Sequence, residues 1–241
     1  MRVFAKTDLG KVRELNEDCY ASAVLSGGAA LAILCDGMGG ANAGDVASRL
    51  AVEIILRYVL NSYDPSMTSN EITDLLVNAI TSANITIFDQ AKSNEKYFGM
   101  GTTVVATIAR DDFAIICNAG DSRAYLVNDN ITQITRDHSI VQSLIESGRI
   151  TPEEARVHPE KNVITRALGV DEYIMTDSYC IELAKADKLL LCTDGFSNYV
   201  SNDSILNTLK ANSLDNVTDL LIQQANDGGG RDNITVAVVA H

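Results

Sequence analysis

The chain is 241 residues long and 46% hydrophobic, enough to bury a sizeable core. Its 19 basic against 32 acidic residues leave a formal net charge of −13, which argues against nucleic acid and anionic membrane as partners of the surface as a whole. Five cysteines (Cys19, Cys35, Cys117, Cys180, Cys192) are odd in number and lack Cys-x-x-Cys spacing, so they read as reduced core thiols, not as a disulfide framework or a zinc site.

Only three prolines occur, and no Ser/Gly/Pro-rich or charged run marks a linker, so a single domain over 1–241 is expected. Met1 to Asp8 turns polar too early for a signal peptide, and no apolar stretch approaches a membrane span; the cytoplasm is the expected location. No motif for assembly is visible, so a monomer is expected.

In chain order, 2–7, 19–25 and 30–35 are apolar and β-branched, cut by Gly27-Gly28 and Gly37, which predicts strands. From Ala43, the residues Val46, Ala47, Leu50, Ala51, Ile54, Ile55 and Tyr58 follow helical spacing, and Ile72, Leu75, Leu76, Ala79, Ile80 and Ala83 repeat it. Thr68 and Glu71 are spaced as a capping box for the second helix. Thr102–Ile108, Phe113–Cys117, Ala124–Val127 and Ile131–Ile134 read as an antiparallel meander. Ile140–Ser147, stopped by Gly148, and the segment opened by Thr151-Pro152-Glu153-Glu154 predict a short helical hairpin. Strands over 173–181 and 187–192, helices near 202–210 and 214–225, and a last strand Ile234–Val239 complete the chain. Blocks of strands and of helices, without strict alternation, predict an α+β fold of antiparallel sheets covered by helices.

Four Asp/Gly clusters stand at the ends of apolar strands: Asp36-Gly37-Met38-Gly39-Gly40, Gly120-Asp121-Ser122-Arg123, Thr193-Asp194-Gly195 and Arg231-Asp232-Asn233. One such cluster is an ordinary turn. Leu31–Cys35 and Leu189–Cys192, however, are buried-type strands that each deliver an aspartate at the carboxyl end. Carboxylates brought together this way need cations to offset their repulsion, and oxygen ligands suit Mg²⁺ or Mn²⁺, which makes phosphoester hydrolysis the natural chemistry.

Those clusters, with Arg13-x-x-Asn16-Glu17-Asp18, Gly101-Thr102-Thr103 and Gly230-Arg231-Asp232-Asn233-Ile234-Thr235, stand in the order and spacing of the PPM/PP2C-type protein Ser/Thr phosphatases. The resemblance runs nearly end to end and is nearest to the compact bacterial members. It implies a four-layer αββα sandwich and a metal-dependent phosphatase acting on phosphoserine and phosphothreonine in proteins. It also implies a eukaryotic-like Ser/Thr kinase, with its substrates, as partner. By the same resemblance Asp36 bridges two Mn²⁺ or Mg²⁺ ions, the Gly37 carbonyl joins one, and Asp194 and Asp232 complete the binuclear core. Asp121 would help Asp194 hold a third ion, Glu17 and Asp18 would act through metal-bound waters, and Arg13 would clamp phosphate. The implied reaction is in-line attack by a hydroxide shared between the ions, without a phosphoenzyme.

One position departs from the pattern: animal relatives carry a histidine after Asp-Gly as a candidate general acid, and here Met38 cannot donate a proton. His138 and His158 are the histidines that fit the family pattern, although packing or surface roles suit each better. Residues 145–165 correspond to a flap expected to influence substrate choice more than chemistry. A phosphoprotein-binding pseudophosphatase and a small-molecule phosphoesterase are the competing readings.

Overall fold

The computed structural model describes residues 1–39 and 43–241; Gly40 of the first Asp/Gly cluster lies outside the described residues. Strands β1 (Arg2–Asp8), β2 (Asp18–Val24) and β3 (Ala30–Met38) open the chain, followed by helices α1 (Gly44–Ser62) and α2 (Ser69–Ser93). Then come β4 (Gly101–Thr102), β5 (Val104–Ala109), β6 (Phe113–Ala119), β7 (Arg123–Val127) and β8 (Ile131–Gln133). Short helices α3 (Ile140–Glu146) and α4 (Pro152–Ala155) precede β9 (Asp177–Glu182) and β10 (Lys188–Cys192). Helices α5 (Asp194–Ser197), α6 (Asn202–Ala211) and α7 (Leu214–Asp227) lead into β11 (Ile234–Ala240).

The strands form two antiparallel sheets, ordered β1-β11-β10-β7-β8 and β2-β3-β5-β6-β9, with β4 paired to β3 beside the second. Side-chain alternation sorts each central strand between two layers. In β3, Leu31, Ile33 and Cys35 pack against α1 and α2, while Ala30, Ala32 and Leu34 face the other sheet. In β10 and β11, Leu190, Cys192, Val236 and Val238 belong to the layer under α6 and α7, and Leu189, Leu191, Ala237 and Val239 to the layer between the sheets. Because both faces are buried, these strands read as continuous apolar runs. The result is the αββα sandwich.

The capping box predicted at α2 is present, with Thr68 accepting from the Glu71 amide and Glu71 from the Thr68 amide. The hairpin's second arm is a single turn, α4, with its own capping box and Pro152 in the first turn. Three features differ from expectation. The strand expected over 102–108 is split at Thr103, whose amide and hydroxyl both serve the backbone of Asp36 (2.8 and 3.0 Å). The strand expected over 173–181 begins only at Asp177. Buried Asn84 of α2 takes the carbonyls of Asp171 and Glu172 (both 3.0 Å) and the amide of Gly169 (2.8 Å), so the residues that lead into this segment are held by a helix side chain. Cys180, expected in the core, is exposed at the outer face of β9.

Candidate metal centre

Counting along β3, Asp36 shares the face of Ala30, Ala32 and Leu34, so its carboxylate enters the layer between the sheets where that layer ends. Gly37 stays within the strand: its amide donates to Glu17 O (3.0 Å), and it pairs with Thr102 of β4. A side chain there has no room, because an added Cβ would stand 2.1 Å from Gly44 O. Asp36 O accepts from the Thr103 amide (2.8 Å) and the Thr102 hydroxyl (2.9 Å), and the Thr103 hydroxyl also meets Ser122 Oγ (2.8 Å).

Asp18 lies directly opposite Asp36 in the β2–β3 register. Its Oδ2 accepts from Thr193 Oγ1 (2.8 Å) and Thr235 Oγ1 (2.7 Å), both delivered by the other sheet. The Thr235 hydroxyl in turn meets that of Thr7 (2.8 Å), which accepts from Asn16 Nδ2 (2.9 Å). Asp18 Oδ1 is buried with no hydrogen-bond partner among the described residues. Asp194 opens α5 and accepts from Asn198 Nδ2 (3.1 Å). Asp232, just before β11, accepts from Arg13 Nη2 (2.9 Å) and from the Asn233 amide (2.9 Å).

The electrostatics match the geometry. Burial first, and then the charges of Asp18, Asp194, Asp121 and Asp232, push the Asp36 carboxyl well above its usual range. Burial also pushes Asp18 up to about 7 against its two threonine hydrogen bonds, with Asp194 and Asp232 adding to the rise. Asp121 is pushed up to about 8 by burial and then by Asp194, and Asp194 to about 6 by burial and then by Asp232. Burial raises Glu17 too, opposed by Arg13. Asp18, Asp36, Asp121 and Asp194, from distant segments, are thus all raised by burial and by neighbouring carboxylates, and Arg13 is the cation among the described residues that hydrogen-bonds the cluster.

The donor set fits a hard divalent cation. It is all oxygen, it carries excess negative charge, and Asp18 Oδ1 presents an unused lone pair. Among the described residues no three His, Cys, Asp or Glu side chains are pre-assembled to hold one ion by themselves.

Of the candidates read from sequence, Asp18, Asp36, Asp121, Asp194 and Asp232 are electrostatic neighbours, and Arg13 and Glu17 stand at their edge. The histidines are elsewhere in role. His138 is buried with both ring nitrogens engaged, and His158 Nδ1 accepts from the Glu160 amide (3.1 Å). Met38 pairs with Gly101. Sequence reasoning passed over the residues that orient the carboxylates. Thr103 and Asn233 stood inside quoted motifs, as did Thr193 and Thr235, but a hydroxyl's partner across two sheets leaves no local signal. Asn233 is the clearest case: Oδ1 accepts from the Glu17 amide (2.8 Å), and Nδ2 donates to Leu9 O and Leu15 O (both 3.0 Å), which fixes the loop that carries Arg13. Arg123, of the Asp121 cluster, forms a two-pronged pair with Asp137, Nε to Oδ1 at 2.9 Å and Nη2 to Oδ2 at 2.6 Å.

Fold and site together define an αββα sandwich with a cluster of buried carboxylates at the end of its inter-sheet layer. Residues 11–228 match the family described as Protein phosphatase 2C. The chain is 40% identical over 236 residues to the serine/threonine phosphatase stp of Listeria welshimeri, covering 97% of this chain and 93% of that one. It superposes on the serine/threonine phosphatase Stp1 of Staphylococcus aureus with a TM-score of 0.93 at 36% identity, covering 99% and 94%. It also superposes on the catalytic domain of the phosphatase PstP in complex with two manganese ions, with a TM-score of 0.86 at 36% identity, covering 98% and 96%. The chain belongs to the protein phosphatase 2C family and is a serine/threonine phosphatase of the bacterial type.

Proposed function

We propose that the chain removes phosphate from phosphoserine and phosphothreonine in proteins with the help of Mn²⁺ or Mg²⁺, in the cytoplasm, as a monomer, opposing a Ser/Thr kinase. The observation that carries the reading is the convergence of Asp18, Asp36, Asp121, Asp194 and Asp232, with one guanidinium, at the end of the inter-sheet layer. Asp36, Asp194, Asp232 and the Gly37 carbonyl would hold two core ions; Asp121 with Asp194 would hold a third, and Glu17 and Asp18 would act through water. The two manganese ions of the PstP structure support a pair of core ions. When bound, the cations would offset the carboxylate charge, acidify water and draw electron density from the phosphoryl oxygens.

The chain's own groups define the rest. The hydroxyls of Thr103, Ser122, Thr193 and Thr235 are all engaged in hydrogen bonds that orient carboxylates or backbone. In this reading they serve as positioning groups, and water attacks phosphorus directly. Asp18 Oδ1, buried and unpartnered, is placed to accept a hydrogen bond from that water. Arg13 Nη2 rests on Asp232, and its remaining N–H groups, without a hydrogen-bond partner among the described residues, would grip the equatorial oxygens of the transferring group. With Met38 inert and His138 sealed, the leaving alkoxide takes its proton from water.

The test is phosphate release from a phosphothreonine peptide with Mn²⁺ and with chelator, alongside calorimetric titration of Mn²⁺ into the stripped protein. Turnover that requires the metal, and heat of binding lost in Asp36→Asn, are expected. Equal turnover after chelation, or a phosphorylated protein side chain trapped during reaction, would refute the reading. Preference for nucleotides over phosphopeptides would shift it to a small-molecule phosphoesterase.

A further inference from the structure

The Asp121 loop is held from one side by two neighbouring residues, Asp137 and His138. Asp137 takes Arg123 in the two-pronged pair. His138 takes both polar groups of Gly120: its amide donates to Gly120 O (2.9 Å), and its Nδ1 accepts from the Gly120 amide (3.0 Å). Gly120 has a φ of +118°, and an added Cβ would stand 2.6 Å from Thr103, so this turn has no slack. Asp121 hangs between the two clamps.

The other side of His138 faces the base of the 145–165 flap. His138 O accepts from the Thr165 amide (2.8 Å), the Ile140 amide donates to Val163 O (3.0 Å), and Ser139 forms a bridge with Ile164. His138 Nε2 lies 3.1 Å from Asp177 Oδ2, while Arg166 Nη1 donates to Asp177 Oδ1 (2.7 Å) and stands 3.0 Å from Nε2. An amide has one proton to give, so Nδ1 is the acceptor and the neutral ring carries its proton on Nε2, toward Asp177. Burial lowers the imidazole's affinity for a second proton, Arg166 and Arg136 lower it further, and Asp177 acts the other way. The side chain is only 1% exposed.

We propose that His138 is a positioning residue that joins the base of the flap to the loop bearing Asp121, so that the two keep one geometry. The inference rests on the phosphatase reading only for its kinetic consequence; the coupling itself is a property of the fold. The two ring nitrogens have separate jobs, and two amide substitutions separate them. His138→Asn places an oxygen near the position of Nδ1 and keeps an acceptor for Gly120, but does not reach Asp177. His138→Gln keeps an amide N–H near the position of Nε2 and leaves the Gly120 amide without its acceptor.

Hydrogen exchange read by NMR tests this without reference to activity. His138→Gln should speed exchange of the Gly120 amide about tenfold, the factor carried by one lost hydrogen bond. His138→Asn should leave that amide protected and loosen the amides of 163–167 instead. In kinetics, His138→Asn should raise KM for a phosphopeptide while kcat on a small aryl phosphate stays within about twofold, and His138→Gln should lower kcat on both. Asp177→Asn, which leaves the ring in place, should behave as His138→Asn and serves if a ring substitution fails to fold. Nitrogen shifts in the unmodified protein at pH 7 should report the Nε2–H tautomer. An Nδ1–H tautomer or an imidazolium, or indistinguishable exchange in the Asn and Gln variants, would overturn the proposal. If metal-loaded protein showed no turnover, the phosphatase reading would fail while the exchange pattern still decided this one.

Discussion

Replacing Asn233 by alanine removes three hydrogen bonds at a residue only 4% exposed, and all three hold the loop between β1 and β2. At a net worth of about 1 kcal/mol each, with buried backbone groups left unmet, the expected loss of stability is roughly 3 kcal/mol. The loop also carries Arg13, whose guanidinium meets Asp232 at 2.9 Å. Once the loop is loosened, Arg13, the proposed phosphate clamp, is no longer held in place. A charged hydrogen bond of about 1.5–3 kcal/mol then corresponds to roughly a 10- to 150-fold fall in kcat/KM. Urea unfolding of the metal-free protein measures the first effect, and phosphopeptide kinetics the second. A double-mutant cycle with Arg13→Ala joins them: if Asn233 acts by placing Arg13, the two losses in kcat/KM should be far from additive. Full additivity, or an unchanged urea midpoint in Asn233→Ala, would refute the reasoning.

Gly37→Ala should cost about 1–3 kcal/mol and most turnover, since the new methyl meets Gly44 O at 2.1 Å and Glu17 O at 2.7 Å; thermal unfolding and kcat report both. In the metal-free protein, Asp194 is raised from 3.8 to about 6. The folded chain therefore keeps a proton that the unfolded chain releases between about pH 4 and 6, and stability falls as pH rises through that window. Asp194→Asn should recover roughly 3 kcal/mol at pH 8 without metal and nothing below about pH 4, at about 1.4 kcal/mol per pH unit. Identical pH curves for the two proteins would count against this. Exchanging 145–165 for another sequence should change selectivity among phosphoproteins while aryl phosphate hydrolysis persists, and parallel loss on both substrates would argue otherwise.

Much of this architecture is written locally. β3 is legible because Leu31, Ile33 and Cys35 serve one layer and Ala30, Ala32 and Leu34 the other, which makes an unbroken apolar run ending at Asp36. α1 and α2 are legible because their buried residues recur at helical spacing, and the Asp-bearing motifs place the acidic residues at strand and helix ends. What could not be read is which distant group each of them meets. Asp18 Oδ2 is held by Thr193 and Thr235, 175 and 217 positions away, and it faces Asp36 only because of the β2–β3 register. Asn233 reaches back 224 positions to Leu9, and Asn84 reaches about 85 positions ahead to hold 169–172, just before the strand expected over 173–181 that begins only at Asp177. Periodicity and turn chemistry act over a few residues and so survive in a one-dimensional reading. Register between strands, and hydrogen bonds between sheets, depend on how whole layers pack, and only the folded chain decides them.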